Sequence, residues 1–248
     1  MLDVSALAYQ KARKRLLLLD YDGTLVDFAL LPSQASPTPR LLRALERLTA
    51  NPRTTIAIIS GRPKQTLEDW LGNLPIALIA EHGFFAKLPR QPWQTLRPIN
   101  NQWKSSVRTA MELSVVVLAG SFIEEKDSSL VWHYRTADEN SAANETPHLL
   151  SRLEPLVARH ELVMLQGHKN IEIKLDHATK GSAALSWLDK DDWDFILAAG
   201  DDVTDEDLFA VMPASAFTVK IGTGASKASH HLPNPDALLN LLESFCKT

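Results

Sequence analysis

KRLLLLDYDGTL, residues 14–25, decides how the rest of the chain is read. The leucines at 16–19 form a continuous apolar run, the pattern of a parallel strand buried on both faces. The run stops at Asp20, and Asp20-Tyr21-Asp22-Gly23-Thr24 is turn chemistry. In open α/β sheets ligands bind beyond the carboxyl ends of the strands, so Asp20 and Asp22 arrive where a site is expected. A lone aspartate there reads as a helix cap. Two of them flanking one residue, followed by Gly-Thr-Leu, are much more specific.

Further short apolar runs end in polar or glycine-containing turns. TTIAIIS leads into Ser60-Gly61-Arg62, IALIAEHG ends at Glu81-His82-Gly83, DFILAAGDD at Gly200-Asp201-Asp202, and AFTVKIG at Gly222. PRLLRALERLTA (39–50) and KGSAALSWLD (180–189) carry the spacing of amphipathic helices. Strands alternating with helices predict a doubly wound, Rossmann-like α/β core with a parallel sheet over residues 1–97 and 176–248.

Residues 98–175 follow a different pattern. A helix is predicted over 102–118, then strands SFIEEK and SLVWHYR across a tight Asp-Ser turn. A second helix over 146–160 precedes strands LVMLQG and NIEIKL. This α-β-β-α-β-β order predicts an inserted α+β domain, an antiparallel sheet with helices on one face, built from two helix-plus-hairpin units of similar length. A strand period of two sets Ile171, Ile173 and Leu175 on one face and Asn170, Glu172 and Lys174 on the other. Glu124 shares a face with Lys126, and His133 with Arg135. The polar faces are either a lid over the core or simply solvated, and periodicity leaves both open.

The bulk numbers exclude several classes. A length of 248 residues suits one large domain or two smaller ones sharing a site. With 45% hydrophobic and 23% charged residues the composition is that of a soluble globular protein. A net charge of -4 gives no reason to expect a nucleic-acid partner, and the basic stretch at 11–15 reads as a solvated approach to the fold. No apolar stretch nears the roughly 20 residues of a membrane span. The opening MLDVSALAYQKARKR lacks the order of a secretory signal. Cys246 is the single cysteine, so an internal disulfide and a cysteine metal site are excluded. A cytoplasmic protein without nucleic-acid or membrane partners is expected; protein partners stay open.

The strand and helix ends supply Asp20 and Asp22, Ser60, Lys180, and Asp201, Asp202 and Asp205. That set suits metal-assisted phosphoryl transfer through an aspartyl intermediate. One carboxylate attacks phosphorus, splitting one hard hydrolysis into two easier steps. A second protonates the leaving alcohol and later deprotonates water. Mg²⁺ prefers oxygen ligands and commonly takes one or two carboxylates plus phosphate, a need Asp20 and Asp201 would meet. Ser60, Lys180 and backbone amides near Gly23 would hold the phosphoryl oxygens as charge accumulates.

DYDGTL, Ser60-Gly61-Arg62, Thr179-Lys180-Gly181 and GDDVTDEDLF resemble the four motifs of haloacid-dehalogenase-type phosphatases. The resemblance implies Asp20 as nucleophile and Asp22 as general acid/base. It implies Mg²⁺ held by Asp20, Asp201 and the backbone carbonyl of Asp22, with Asp202 and Asp205 supporting the metal from behind. Ser60 and Lys180 would hold the phosphate. SFIEEKDSSLVWHYR and GHKNIEIKLDHATKG further resemble the signatures of trehalose-6-phosphate phosphatases, with Glu125 where that family commonly has Asp. By that resemblance the insert is a mobile cap whose Glu124, Lys126, Lys169, Asn170 and Glu172 contact the sugar. Gly61, Arg62 and His82 would stand near the entrance on the core side.

The implied activity is Mg²⁺-dependent hydrolysis of trehalose 6-phosphate to trehalose and phosphate. A related phosphatase for sucrose phosphate or a glucosyl- or mannosyl-glycerate phosphate would share the capped core. A sugar-phosphate sensor would not need a nucleophile and proton donor such as Asp20 and Asp22, and a phosphotransferase or mutase would pass the phosphate to another sugar. His133 and Arg135 read as partners of insert carboxylates, and Trp132 and Tyr134 as packing on the insert's helices. His82 reads as bonded within the core, with a substrate role as the alternative. His230-His231 reads as a solvated loop.

Overall fold

A computed structural model describes residues 2–246, and the chain divides into two compact units. One comprises the segments up to Leu96 and from Ala178 onward; the other is Arg97–His177. In chain order, α1 (Leu2–Lys11) precedes β1 (Arg15–Leu19), α2 (Pro39–Thr49) leads to β2 (Thr54–Ile59), and α3 (Lys64–Leu71) to β3 (Ala77–Ala80). Short strands β4 (Phe85–Lys87) and β5 (Gln94–Thr95) close this half. The second unit holds α4 (Lys104–Val117), β6 (Phe122–Glu125), β7 (Ser129–His133), α5 (Glu139–His160), β8 (Leu162–Gly167) and β9 (Asn170–Leu175). The chain returns to the first unit through α6 (Lys180–Leu188), β10 (Phe195–Gly200), α7 (Thr204–Ala210), β11 (Phe217–Ile221), β12 (His230–Leu232) and α8 (Pro235–Phe245).

The first unit is an α/β layer structure around a sheet of order β12-β11-β10-β1-β2-β3-β4-β5. All pairs are parallel from β12 to β3; at the edge β4 pairs antiparallel with both β3 and β5. The leucines at 16–19 are each 0% exposed, as a central strand covered on both faces requires. Burying each one stabilises the fold by roughly 1.5–3 kcal/mol. Leu16 and Leu18 join Ile59, Ile79, Ala184, Trp187 and Leu208 in one cluster. At the foot of the sheet, Tyr9 stacks on Phe245 at 4.3 Å and meets Phe195 edge-on. β1 lies between β2 and β10, so the chain moves away from it in opposite directions before and after the insert. That reversal is a topological switch point, the usual place for a ligand in such sheets.

The second unit is a four-stranded antiparallel sheet of order β6-β7-β9-β8, with the hairpins meeting at β7 and β9. Register sets Glu124 beside Val131, and Val131 beside Glu172. It likewise sets Phe122, His133 and Asn170 in one row. Directly opposed residues share a face, so Glu124, Glu172, His133 and Asn170 all project from the same side. Ile123, Trp132 and Ile171 form a row on the other, and α4 packs against β6 and β7.

Several details differ from the sequence reading. α5 starts at Glu139 rather than Thr146, because Asp138 caps it by accepting the Ser141 N–H at 2.9 Å. Ala142, Glu145, Leu149 and Leu153 then form its buried stripe. The two helix-plus-hairpin units are therefore unequal, with helices of 14 and 22 residues. His230 and His231 belong to edge strand β12 rather than a loop. Arg15 is buried rather than solvated: its guanidinium donates to the Ala12 and Gln10 carbonyls and lies over the Tyr9 ring. Glu172 and Lys174 are buried, so that part of the polar face is not simply solvated. Among the described residues no helix is long and apolar enough to cross a membrane.

Candidate active site

The strands around the switch point end together, and their next residues are polar. Asp20 follows β1, its N–H donating to the Ala199 carbonyl of the neighbouring strand end at 3.0 Å. Asp201 follows β10 and Ser60 follows β2. Lys180 opens α6, whose N-terminus is fixed by a reciprocal Thr179–Ser182 capping box.

Lys180 Nζ donates to Asp20 Oδ1 at 2.6 Å and to Asp205 Oδ1 at 2.8 Å, with all three side chains almost completely buried. Asp205 Oδ2 accepts the backbone N–H groups of Asp201 and Asp202 at 3.1 and 3.0 Å. Both oxygens of Asp205 are thus engaged within the protein. Thr24 Oγ1 lies 2.9 Å from Asp20 Oδ2 and 3.1 Å from Asp201 Oδ1, bridging the two carboxylates. Oxygens of Asp20, Asp201 and Asp205 all fall within 4.8 Å of one another.

Three carboxylates around one ammonium leave an excess of buried negative charge. Burial pushes the Asp20 carboxyl well above the usual carboxylate range, with Asp205 and Asp201 adding to the effect and Lys180 opposing it. Asp201 is pushed up to about 6, first by burial and then by Asp205. Burial disfavours the Lys180 charge, but Asp20 and Asp205 outweigh it and hold the ammonium above its ordinary range. A hard cation bridging Asp20 and Asp201 would relieve this repulsion, and all-oxygen donors of this kind suit one.

Glycine makes room for the arrangement. Gly23 has φ +75°, and a Cβ there would lie 2.3 Å from Asp201 Oδ2. A Cβ on Gly61 would sit 2.7 Å from the His82 ring, so the imidazole packs against the Gly61 backbone. His82 is buried, its backbone N–H donates to the Ser60 carbonyl at 3.0 Å, and with Glu81 it has left-handed φ values of 59° and 48°. Such conformations cost about 1–3 kcal/mol each and persist where the surroundings over-determine them. Ser60 Oγ accepts the Arg62 N–H at 3.1 Å.

Asp22 stands outside the Asp20–Asp201–Asp205 group. Its two oxygens accept from Arg62 Nε and Nη2 at 2.7 and 2.5 Å, a bidentate fork. Asp202 is half-buried, its Oδ1 accepting the Val203 N–H at 2.7 Å.

In the insert, the polar row is internally bonded. Glu172 Oε1 accepts from Ser129 Oγ at 2.6 Å and from Lys126 Nζ at 3.1 Å. Glu124 Oε2 lies 2.8 Å from His133 Nε2, the insert-carboxylate pairing read for that histidine. Burial raises the Glu124 carboxyl, but His133 and Lys126 more than offset this and hold it below the usual range. Arg135 donates to the His168 carbonyl at 2.8 Å. Lys169 occupies a left-handed turn position and pairs with Glu139 at 2.6 Å, and Asn170 follows it. Glu125 faces the other way, towards Lys104 and Arg108 of α4. Trp132 is buried and its ring lies 4.7 Å from that of Tyr134.

Two participants escape sequence reasoning. Thr24 reads as turn chemistry, yet it bridges the two carboxylates. Lys220, buried on β11, donates to the Asp201 carbonyl at 2.5 Å, so that residue's peptide is held at both ends. The available signal is a lone charged residue in the strand FTVKI.

Comparison with known proteins places the chain. A profile of the family described as trehalose-phosphatase matches residues 18–235. A bifunctional trehalose-6-phosphate synthase/phosphatase of Thermoproteus tenax is 43% identical over 96% of this chain and 32% of its own length. A trehalose-phosphatase of Schizosaccharomyces pombe is 35% identical over 87% of this chain and 28% of its own. The chain thus spans about a third of the length of the curated relatives it matches. The C-terminal domain of Candida albicans trehalose-6-phosphate phosphatase superimposes with a TM-score of 0.93 at 29% identity, covering 99% of this chain and 96% of that one. With that match running from Leu18 in β1 to Pro235 at the start of α8, this chain belongs to the trehalose-phosphatase family.

Proposed function

We propose that this chain is a Mg²⁺-dependent phosphatase that hydrolyses trehalose 6-phosphate to trehalose and phosphate through an aspartyl phosphate. The observation that carries the proposal is the buried Asp20–Lys180–Asp205 chain beside Asp201, at the switch point of the sheet in a trehalose-phosphatase family member. Asp20, Asp201 and the Asp22 backbone carbonyl would hold the Mg²⁺, which when bound would neutralise charge between the carboxylates and an incoming phosphate. Asp205 is already committed to Lys180 and two N–H groups, which suits an anchoring role.

In this reading Asp20 attacks phosphorus while the bond from phosphorus to the sugar oxygen breaks. Asp22 delivers a proton to that oxygen, and trehalose leaves. Asp22 then takes a proton from water, whose oxygen attacks the aspartyl phosphate and regenerates Asp20. Lys180 and Ser60 hold the phosphoryl oxygens where charge develops. The insert serves sugar recognition, with Glu124, Lys126, Lys169, Asn170 and Glu172 offering donors and acceptors to adjacent hydroxyls. Gly61 and His82 would stand near the substrate entrance on the core side, and Asp202 would support the metal loop.

Asp20→Asn tests the chemistry. Turnover is expected to fall by at least about a thousandfold with the circular dichroism spectrum unchanged. Retained activity would remove Asp20 as the nucleophile.

A further inference from the structure

Arg62, expected near the substrate entrance, has its guanidinium bonded within the core unit. Nε and Nη2 fork onto both oxygens of Asp22 at 2.7 and 2.5 Å, and Nη1 donates to the Pro32 carbonyl at 2.5 Å. The same guanidinium lies 5.0 Å over the ring of Trp70, and the Arg62 side chain is only 12% exposed. Three elements therefore fix this side chain: the loop after β1, the segment preceding α2, and α3. The backbone behind it is fixed too, since the Arg62 N–H donates to Ser60 Oγ at 3.1 Å and its carbonyl accepts the Glu81 N–H at 3.1 Å.

A side chain held this way is well built to place something else. A planar fork matches a carboxylate at two points and fixes its orientation as well as its position, which a lysine ammonium cannot do. Asp22 is the group so placed. It stands two residues from Asp20 but outside the Asp20–Asp201–Asp205 group.

Resting on the proposed reaction, we propose that Arg62 is a positioning residue for Asp22. It sets the carboxylate for proton transfer to the sugar oxygen, and it acts on the reaction through Asp22 rather than through its own contact with the sugar. The fork takes one lone pair on each Asp22 oxygen and leaves a second on each to carry the proton.

The test is a double-mutant cycle of Asp22→Asn and Arg62→Met, with Arg62→Lys alongside, on trehalose 6-phosphate and p-nitrophenyl phosphate. The second ester loses a phenolate that needs no proton, and kcat/KM excludes the later water step. Arg62→Met is expected to lower kcat on the sugar ester by roughly tenfold or more with KM changed less than about threefold. Its kcat/KM on p-nitrophenyl phosphate should change less than about threefold. In the Asp22→Asn background the same substitution should cost less than about twofold, because two residues acting as a unit are not additive. Arg62→Lys, which keeps the charge and stem, should recover less than half of the loss; it carries the test if Arg62→Met does not fold.

A raised KM with kcat intact would make Arg62 a sugar contact and overturn the proposal. So would losses that multiply in the double variant, equal losses on both esters, or full recovery by Arg62→Lys. If the wild-type protein prefers another sugar phosphate, the substrate assignment falls while the cycle is run on that ester.

Discussion

Asp201 shows how a single residue can tie stability to the proposed cation. Burial and Asp205 push its carboxyl up to about 6, so the metal-free protein binds more protons than the unfolded chain between the ordinary carboxylate range and that value. Stability contributed by this group is therefore greatest at low pH and declines as pH rises towards 6. A cation on Asp20 and Asp201 displaces the proton and reverses the penalty. The rise in Tm on adding Mg²⁺ is expected to be small near about pH 5 and larger near about pH 7.5. A shift equal at both would mean that the cation does not bind at Asp201. Asp20, Ser60, Lys180 and Asp201 were legible in the sequence because each closes an apolar run or opens the helix after one. Thr24, Lys220 and the Arg62–Asp22 fork were not, because each depends on a side chain reaching another segment of the fold.

At the scale of elements, the insert is held by a polar tie between its helices. Ser114 on α4 donates to Glu145 on α5 at 2.7 Å, and Arg152, two turns along α5, donates to both at 2.6 and 2.5 Å. Burial raises the Glu145 carboxyl, but Arg152 and Ser114 outweigh it and hold it below the usual range. A lowered folded value contributes stability that is present at neutral pH and is lost as pH falls through it. Glu145→Gln is expected to cost about 1–3 kcal/mol near neutral pH, read from urea unfolding, with the difference from wild type shrinking near about pH 3. A gap that stays constant across that range would contradict the ion pair. The strands of the insert were legible from alternation, and β8 and β9 fall where it puts them. The start of α5 was not, because Asp138 as cap competes with Pro147 as a signal for the first turn. β4 and β5 were missed for want of length, at three and two residues.

Across the whole molecule, the fold class follows from one buried strand and the alternation around it. The leucines at 16–19 demand covering on both faces, and only helices on both sides of a mostly parallel sheet supply it. The same topology brings Asp20, Ser60 and Asp201 together at the carboxyl ends of the central strands from distant parts of the sequence. Reaction type was thus legible from the core, whereas the sugar had to be read from the insert, whose acidic and basic residues satisfy one another in the structure. The most direct measurement of the central proposal is the rate of phosphate release, with Mg²⁺, across a panel of sugar phosphates. The panel is trehalose 6-phosphate, sucrose phosphate, glucosyl- and mannosyl-glycerate phosphates, and p-nitrophenyl phosphate. The expected result is a kcat/KM for trehalose 6-phosphate at least about a hundredfold above every other ester. Faster hydrolysis of another sugar phosphate, or binding of trehalose 6-phosphate without release of phosphate, would contradict it.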